Sequence, residues 1–167
     1  MLSCALKAPD HAELNRIRYP WIDFLNAPEI YGSRTWEYPW AILEAQLEPN
    51  MLCADMGCGM TPFPYYLRNY CLALVTAFDP DISRGEHYYC HGVTREFVKQ
   101  SELNLVPAGF GDMGFWPSGY FDRVFCISVL EHLEQKTQMQ AMQEIGRILT
   151  VGGMALVSVD VVADKDF

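Results

Sequence analysis

Three acidic residues each follow a short apolar run of the chain, and glycines accompany two of them. The stretch CADMGCGMTP places Asp55, Gly57 and Gly59 after the first run, Asp79 ends the second, and Asp112 follows the third. Glycines at such a turn let a ligand lie against the backbone, and a following helix offers free N–H groups. A carboxylate at the position of Asp79 can accept hydrogen bonds from both hydroxyls of a ribose. These residue types therefore suit the binding of a nucleoside-containing ligand.

The apolar runs from about residue 48 onwards alternate with longer helical segments, which is typical of a parallel sheet covered by helices. We predict five strands, at 51–54, 72–78, 105–110, 123–129 and 154–162. Pro107 lies inside the third, and a proline cannot donate to a strand ladder, so we expect this strand at a sheet edge. In an open parallel sheet, ligands bind outside the carboxyl ends of the strands. The order of the three acidic positions therefore predicts one common site.

Each of these three signals also has a plain structural interpretation. A glycine-rich turn between strand and helix is often only a tight turn, and Asp79 followed by Pro80 can be ordinary turn chemistry. Asp112 can be a solvated loop residue. The spacing, 24 residues from Asp55 to Asp79 and 33 more to Asp112, puts each acid after a predicted strand and favours a common site.

Two helices are predicted from their end signals. Thr61 is expected to be the N-cap of the first, with Pro62 at its first helical position. A capping box of Thr137 and Gln140 is expected to open the second, and Gly152 is placed to end it. The predicted buried face of the second helix consists of Met139, Met142, Ile145 and Leu149.

Length and composition predict one domain over residues 1–167, because this length supports one core but not two. An aromatic-rich helical segment, 1–47, precedes an α/β core, 48–167. The net charge of −9 argues against nucleic acid as a partner. No apolar run has the length of a membrane span and no signal-peptide pattern is present, so we expect a cytoplasmic protein without membrane contact. The six scattered cysteines do not indicate a disulfide framework.

The segment 1–47 carries three of the four tryptophans, and its stretch TWEYPWAILEAQL predicts a helix with a mixed aromatic face. Burial of aromatic area is the commonest use of such rings. We therefore favour packing of this helix on the sheet over a role as a lid on a ligand pocket.

The chain resembles the class I, Rossmann-like S-adenosylmethionine-dependent methyltransferases, and within them the small-molecule branch called methyltransferase type 11. ADMGCGM is similar to their first motif, AFDPD to the acidic end of their second strand, and GDMGFWPSGYFDRVFCISVLEHL to the run joining strands three and four. The last match is the longest and the most specific. The resemblance covers roughly residues 34–160 and implies a three-layer α/β sandwich with a mainly parallel sheet of about five strands in the order 3-2-1-4-5.

The resemblance also implies S-adenosylmethionine as cofactor and a set of residues around its methionine end. From the first motif these are Asp55, Gly57, Cys58 and Gly59. From the end of the fourth strand they are Ile127 and Ser128.

The nucleoside end of the cofactor is implied to meet two other segments. Asp79, with Pro80 beside it, would hold the ribose hydroxyls. Asp112 and the backbone of Met113 would meet the adenine.

Two departures from the family pattern lead to further expectations. The first motif often has a third glycine where this chain has Thr61, which we expect to cap a helix instead. The family sheet usually has two further strands, which are missing after the fifth predicted strand. We therefore expect a shortened sheet, a truncated chain, or a homodimer or partner chain that covers the exposed edge, because a bare edge strand invites pairing.

His132 is the candidate general base, because an unperturbed histidine titrates near neutrality and this one follows the fourth strand at the mouth of the site. The alternative is that it only occupies the first turn of the next helix. Glu131 is a weaker candidate, since Ser128 and Glu131 are spaced as a capping box. His87, Cys90 and His91 are too few for a zinc site without a second cluster, so no metal is predicted.

Three functions remain. The first is an S-adenosylmethionine-dependent methyltransferase acting on a small-molecule acceptor. The second is a non-catalytic methyltransferase-like module that binds a partner or has a regulatory role. The third is an NAD(P)-dependent oxidoreductase, which has a similar strand, glycine turn, helix and acidic residue. Its fingerprint requires a glycine three residues after Gly59, where this chain has Pro62.

Overall fold

The structure is a computed structural model that describes residues 34–59, 61–82 and 103–160. Its helices are α1 (Arg34–Ala45), α2 (Phe63–Asn69) and α3 (Gln135–Ile148), and its strands are β1 (Leu52–Met56), β2 (Leu74–Phe78), β3 (Asn104–Val106), β4 (Phe121–Ile127) and β5 (Leu149–Ser158). Two short 3-10 helices, Phe110–Phe115 and Leu130–His132, follow β3 and β4. Most of the predicted segment 1–47 lies outside the described residues, and so do the three residues considered as metal ligands, His87, Cys90 and His91.

The five strands form one sheet in the order β3-β2-β1-β4-β5, and every pair of neighbours is parallel. This confirms the expected sheet order. β3 lies at an edge, as the proline predicted, although the strand ends at Val106, just before Pro107. β1 lies in the middle, where Asp55 is in register with Ala77 of β2 and Phe125 of β4. The carboxyl end of β1 is therefore flanked by the ends of both neighbours.

Helices cover both faces of the sheet, which gives the expected three layers. On one face, α1 and α2 pack on Cys53, Phe125 and Ile127. On the other face, α3 and the first 3-10 helix pack on a second core cluster that contains Ala54, Met56, Phe78, Val124 and Cys126. Neighbouring residues of one strand enter opposite clusters because side chains alternate across a strand.

The expected N-cap at Thr61 is wrong. α2 begins at Phe63, with Pro62 at the cap position and no side-chain hydrogen bond to the helix N-terminus. The Thr61 side chain instead hydrogen bonds with the buried Tyr38 of α1. A contact between two elements has replaced the local cap.

The predicted ends and face of α3 also need correction. The helix begins at Gln135, before Thr137, and has no side-chain cap. The side chain of Gln138 donates to the carbonyls of Leu130 and Leu133, both at 2.9 Å, and so joins the helix to the preceding turn. The chain passes from Ile148 directly into β5, so Gly152 lies within that strand. Met139 and Met142 are 63% and 44% exposed; the buried residues are Ala141, Ile145 and Ile148.

Packing of the aromatic helix on the sheet is confirmed for the described residues. Tyr38 is buried and its ring stacks on Phe63, at 4.5 Å between centroids. Phe63 in turn contacts the edge of Phe125 in β4. α1 is therefore joined through rings to α2 and to the sheet. Trp36, on the same helix, is 40% exposed.

Candidate functional site

The glycine loop after β1 is attached to the end of β2 and closed against the segment after β4. The backbone N–H groups of Gly57 and Cys58 both donate to the carbonyl of Phe78, at 2.8 and 3.1 Å. Gly57 has φ +73°, and a Cβ there would lie 2.6 Å from Cγ1 of Val129. Only glycine suits this position, because the backbone is left-handed and a side chain has no space. Gly59 is also left-handed, at φ +52°, but has open surroundings.

Asp79 joins the glycine loop to the carboxyl ends of β2 and β3. Its Oδ2 accepts the N–H of Gly59 at 2.9 Å, and its Oδ1 accepts the N–H of Asp81 at 2.8 Å. Its own N–H donates to the carbonyl of Val106 at 3.2 Å. An ionised carboxylate has about four lone-pair sites, so each oxygen can accept a further hydrogen bond. The structure thus brings together the first two of the three predicted positions.

Asp55 is a buried carboxyl without a full set of partners. It is 3% exposed, and its Oδ2 has no hydrogen-bond partner. Burial raises its pKa to about 8, the nearby Asp79 carboxylate adds to this, and Arg34 opposes it. A buried, unpaired carboxylate is costly, and a cationic group beside it would relieve that cost.

Cys58, the residue between the two loop glycines, is buried, and burial raises the pKa of its thiol well above the usual value. It is thus held as a neutral thiol, whose Sγ lies 3.3 Å from the carbonyl of Gly59. Cys58 therefore acts as a small apolar side chain under the loop and supplies no thiolate there.

The end of β4 carries the next two predicted residues. Ile127 is buried in the core beside α1. Ser128 is buried with φ +49°, its hydroxyl donates to Glu37 at 2.7 Å, and its N–H lies 3.0 Å from the carbonyl of Ser158. Val129, which follows, packs over Gly57. The ends of β1 and β4 are therefore in direct contact at the glycine loop.

Asp112 and Met113 lie in the first 3-10 helix, after β3. Met113 is fully buried, and its carbonyl accepts hydrogen bonds from the N–H of Trp116 at 2.8 Å and from Arg147 at 3.0 Å. Pro80 is exposed, and its ring lies 3.9 Å from the position of a Cβ on Gly109. The loop after β2 therefore adjoins the segment that leads into this 3-10 helix.

His132 is exposed in the second 3-10 helix, three residues beyond Val129. Its N–H donates to the carbonyl of Val129 at 3.0 Å. The proposed capping box of Ser128 and Glu131 is wrong, because the Ser128 hydroxyl bonds to Glu37. Glu131 Oε1 instead accepts the N–H of Asp160 at 3.1 Å.

Residues 54–157 match the model of a protein family described as a methyltransferase domain. This match covers more than half of the 167-residue chain. The chain belongs to the class I methyltransferase family. The matched range begins within β1, ends within β5 and contains every predicted site residue. No curated protein sequence matches the chain.

Several solved structures share this fold. A protein of Pyrococcus horikoshii OT3 is 21% identical with a TM-score of 0.60, over 75% of this chain and 52% of that one. Phosphoethanolamine N-methyltransferase 2 of Haemonchus contortus, in complex with S-adenosylmethionine, is 14% identical with a TM-score of 0.62, over 86% and 32%. Coclaurine N-methyltransferase, bound to N-methylheliamine and S-adenosylhomocysteine, is 15% identical with a TM-score of 0.55, over 93% and 52%. The chain spans about half or less of the length of these proteins.

One buried polar group near the site was not predicted from the sequence. Glu37 of α1 is 1% exposed, and its two oxygens accept hydrogen bonds from Ser128, Ser158 and Arg34. Burial alone would raise the pKa of Glu37, but the hydrogen bonds from the two hydroxyls and the guanidinium outweigh it and hold the pKa below its usual value. The available signal was a charged residue between two aromatic ones, Trp36 and Tyr38, on the predicted aromatic helix. Among the described residues, no helix has the length and apolar character needed to cross a membrane.

Proposed function

We propose that the protein is an S-adenosylmethionine-dependent methyltransferase that transfers a methyl group to a small-molecule acceptor. The observation that carries this proposal is the hydrogen bond from Gly59 to Asp79, which unites the glycine loop and the acidic end of β2 in the middle of the sheet. Family membership supports it. So do the ligands of two proteins of similar fold, S-adenosylmethionine and S-adenosylhomocysteine. The family match favours this function over the oxidoreductase.

The residues of the loop fit the methionine end of this cofactor. Asp55 offers a buried carboxyl oxygen without a partner, which suits the ammonium group of an amino acid. In the turn formed by Gly57, Cys58 and Gly59, the space beside Gly59 is open to a ligand, whereas Val129 fills the space beside Gly57. Ile127 and Ser128 would border the same end, since Val129 holds the end of β4 against the loop.

The nucleoside end suits the neighbouring segments. Asp79, with the exposed Pro80 beside it, keeps lone pairs for two ribose hydroxyls after accepting its two backbone N–H groups. Asp112 and Met113 would lie beside the adenine. The carbonyl of Met113 already accepts two hydrogen bonds, which fixes the backbone at this point.

Methyl transfer requires the protein to position the reactants more than it requires reactive side chains. When bound, the cofactor supplies an activated methyl group on a sulfonium. The protein holds the acceptor in line with that group and excludes water, which lowers the entropic part of the barrier. A general base is needed only where the acceptor is protonated at the working pH.

His132 is the proposed general base. The His132→Ala variant is expected to lower kcat for a protonated acceptor by about 100-fold, in the range typical of general-base catalysis, while cofactor affinity stays unchanged. The measurement is steady-state turnover of an identified acceptor over a range of pH. The exposed neighbour Glu134→Ala serves as the control. Equal turnover in wild type and His132→Ala would assign His132 a role only in its helical turn.

A second candidate is a methyltransferase-like module that binds a partner without catalysis. Two polar groups assigned to the site, the Ser128 hydroxyl and the Met113 carbonyl, are already engaged in internal hydrogen bonds, which favours this candidate. In the described part of the chain β5 pairs on one side only, with β4. We propose that a homodimer or a partner chain covers this edge, and that the protein acts in the cytoplasm.

Calorimetric titration with S-adenosylmethionine tests the proposed function. Wild-type protein is expected to bind, and Asp79→Ala to weaken binding by about 100-fold, because two hydrogen bonds to a charged acceptor are lost. Glu48→Ala, an exposed carboxylate before the opposite end of β1, is the matched control and should bind like wild type. No heat from the wild type at millimolar cofactor would reject the methyltransferase and leave the binding module.

A further inference from the structure

A buried carboxylate of α1 lies at the junction of β4 and β5, where the structure joins three elements. Glu37 Oε1 accepts the hydroxyls of Ser128, at 2.7 Å, and of Ser158, at 2.6 Å. Its Oε2 accepts a guanidinium N–H of Arg34 at 2.5 Å. Ionised groups are seldom buried without such partners, so the position is a built one and not an incidental burial.

One of its partners has an unusual backbone. Ser128 has φ +49°, in the left-handed region that non-glycine residues rarely adopt. The conformation is held from both sides: the hydroxyl bonds to Glu37, and the N–H points to the carbonyl and hydroxyl of Ser158, at 3.0 and 3.2 Å. Such outliers persist only where surrounding contacts determine them, and they cluster at functional sites.

This backbone turn directs the next residue onto the glycine loop. Val129 follows Ser128, and its Cγ1 and Cγ2 lie 2.6 and 2.7 Å from where a Cβ of Gly57 would be. The Val129 side chain thus occupies the space above Gly57 and limits how the loop can move. Glu37 bonds to the Ser128 hydroxyl, and Ser128 directly precedes the residue that contacts the loop.

We infer that Glu37 is a positioning residue of the cofactor site: through the Ser128 hydroxyl it holds the left-handed turn after β4, and through Val129 it sets the glycine loop. The inference rests on the proposed function for the identity of the ligand. It gives α1 a role beyond packing, because the helix carries the carboxylate that determines the geometry of the loop. Glu37 acts through Ser128 and does not touch the reacting atoms.

Binding of S-adenosylhomocysteine by calorimetry tests this role. Glu37→Ala is expected to weaken binding by about 10-fold, a typical coupling between residues of one hydrogen-bond network. Glu37→Gln keeps an oxygen for the two hydroxyls and is expected to restore most of the affinity. Glu44→Ala, an exposed carboxylate on the same helix, is the control and should bind like wild type.

A spectroscopic readout separates positioning from general stability. In protein labelled with 15N-glycine, the Gly57 amide resonance is expected to shift in Glu37→Ala and to stay in place in Glu44→Ala. Ser128→Ala removes the same hydrogen bond from its other end and gives a test if Glu37→Ala does not fold. The Glu37→Ala/Ser128→Ala double variant is expected to bind S-adenosylhomocysteine no more weakly than whichever single variant has the lower affinity.

The outcomes distinguish this role from the proposed function. Absence of binding by the wild type would overturn the proposed function and this role with it. Binding by the wild type with equal affinity in folded Glu37→Ala, or in Ser128→Ala where Glu37→Ala does not fold, would overturn the positioning role alone. Additive losses in the double variant would also overturn it.

Discussion

The Asp55→Asn variant is expected to unfold at a higher temperature than the wild type at pH 8, and to bind S-adenosylmethionine at least about 10-fold more weakly. Asp55 is buried beside Asp79, one of its oxygens has no partner, and its pKa is raised to about 8. Asparagine has nearly the same shape but carries no charge. The variant therefore removes an unfavourable buried charge together with the group proposed to hold the ligand's ammonium.

The direction of the pH dependence follows from the pKa of Asp55 in the two states. In the unfolded chain the carboxyl ionises near its ordinary value of 3.8, and in the folded protein near 8. At pH values between these two pKa values, the folded state binds more protons than the unfolded chain. The contribution of Asp55 to wild-type stability is therefore fully present below the unfolded pKa and is lost as pH rises toward 8. The pH-dependent part of the stability gain for Asp55→Asn is expected to be on the order of 5 kcal/mol at pH 8 and roughly a third of that at pH 5.

Thermal unfolding of both proteins at pH 5 and pH 8 measures this difference. Asp122→Asn is the matched control, since its Oδ2 accepts the N–H of Leu52 at 2.9 Å and its replacement should destabilise the protein. A gap between Asp55→Asn and wild type that is the same at both pH values would show that Asp55 does not carry the titration. If Asp55→Asn were more stable and still bound the cofactor with wild-type affinity, Asp55 would have no role in binding the ligand.

The Gly57→Ala variant is expected to lose about 3 kcal/mol or more of folding free energy and all measurable cofactor binding. The left-handed backbone at φ +73° strains any residue with a side chain, and the new methyl would lie 2.6 Å from Cγ1 of Val129. Gly59→Ala offers an internal comparison. Its φ is +52°, but the nearest atom to a Cβ is Cγ2 of Thr61 at 3.9 Å, so only the conformational cost of about 1 kcal/mol applies.

Denaturant unfolding of the two alanine variants, with cofactor titration of each, tests the argument. The Gly57→Ala/Val129→Ala double variant should recover part of the lost stability, because the clash is removed while the backbone strain remains. Equal destabilisation by Gly57→Ala and Gly59→Ala would contradict the role assigned to Val129. If Gly57→Ala bound the cofactor as tightly as the wild type, cofactor binding would not depend on the close approach of the loop to the end of β4.

The sheet and the grouping of its acidic ends could be predicted because they follow from short-range patterns. Alternating apolar and helical segments specify parallel strands, and parallel strands bring their carboxyl ends to one edge. Asp55, Gly59 and Asp79 could thus be grouped before any coordinates were known. The edge position of β3 followed from Pro107 for the same reason, since a missing N–H is a property of one residue.

The helix caps could not be predicted in the same way. Thr61, Ser128 and Thr137 all carry a hydroxyl at a spacing that suits a local cap, and none of the three is an N-cap. The Thr61 and Ser128 side chains bond to Tyr38 and Glu37 of α1, which are distant in the chain. A local pattern cannot show that a remote partner competes for the same hydroxyl.

The sequence by itself determined the alternation of strands and helices and the segments that meet at the site, because local periodicity and motif spacing carry that information. Its resemblance to a known family supplied the fold family and the order of the strands. The tertiary structure alone decided that Asp55 is buried with a raised pKa, that Val129 occupies the space above Gly57, and that Glu37 reaches Ser128. Burial, close packing and the pairing of distant polar groups depend on which elements come together in space, and no single stretch of the chain records that.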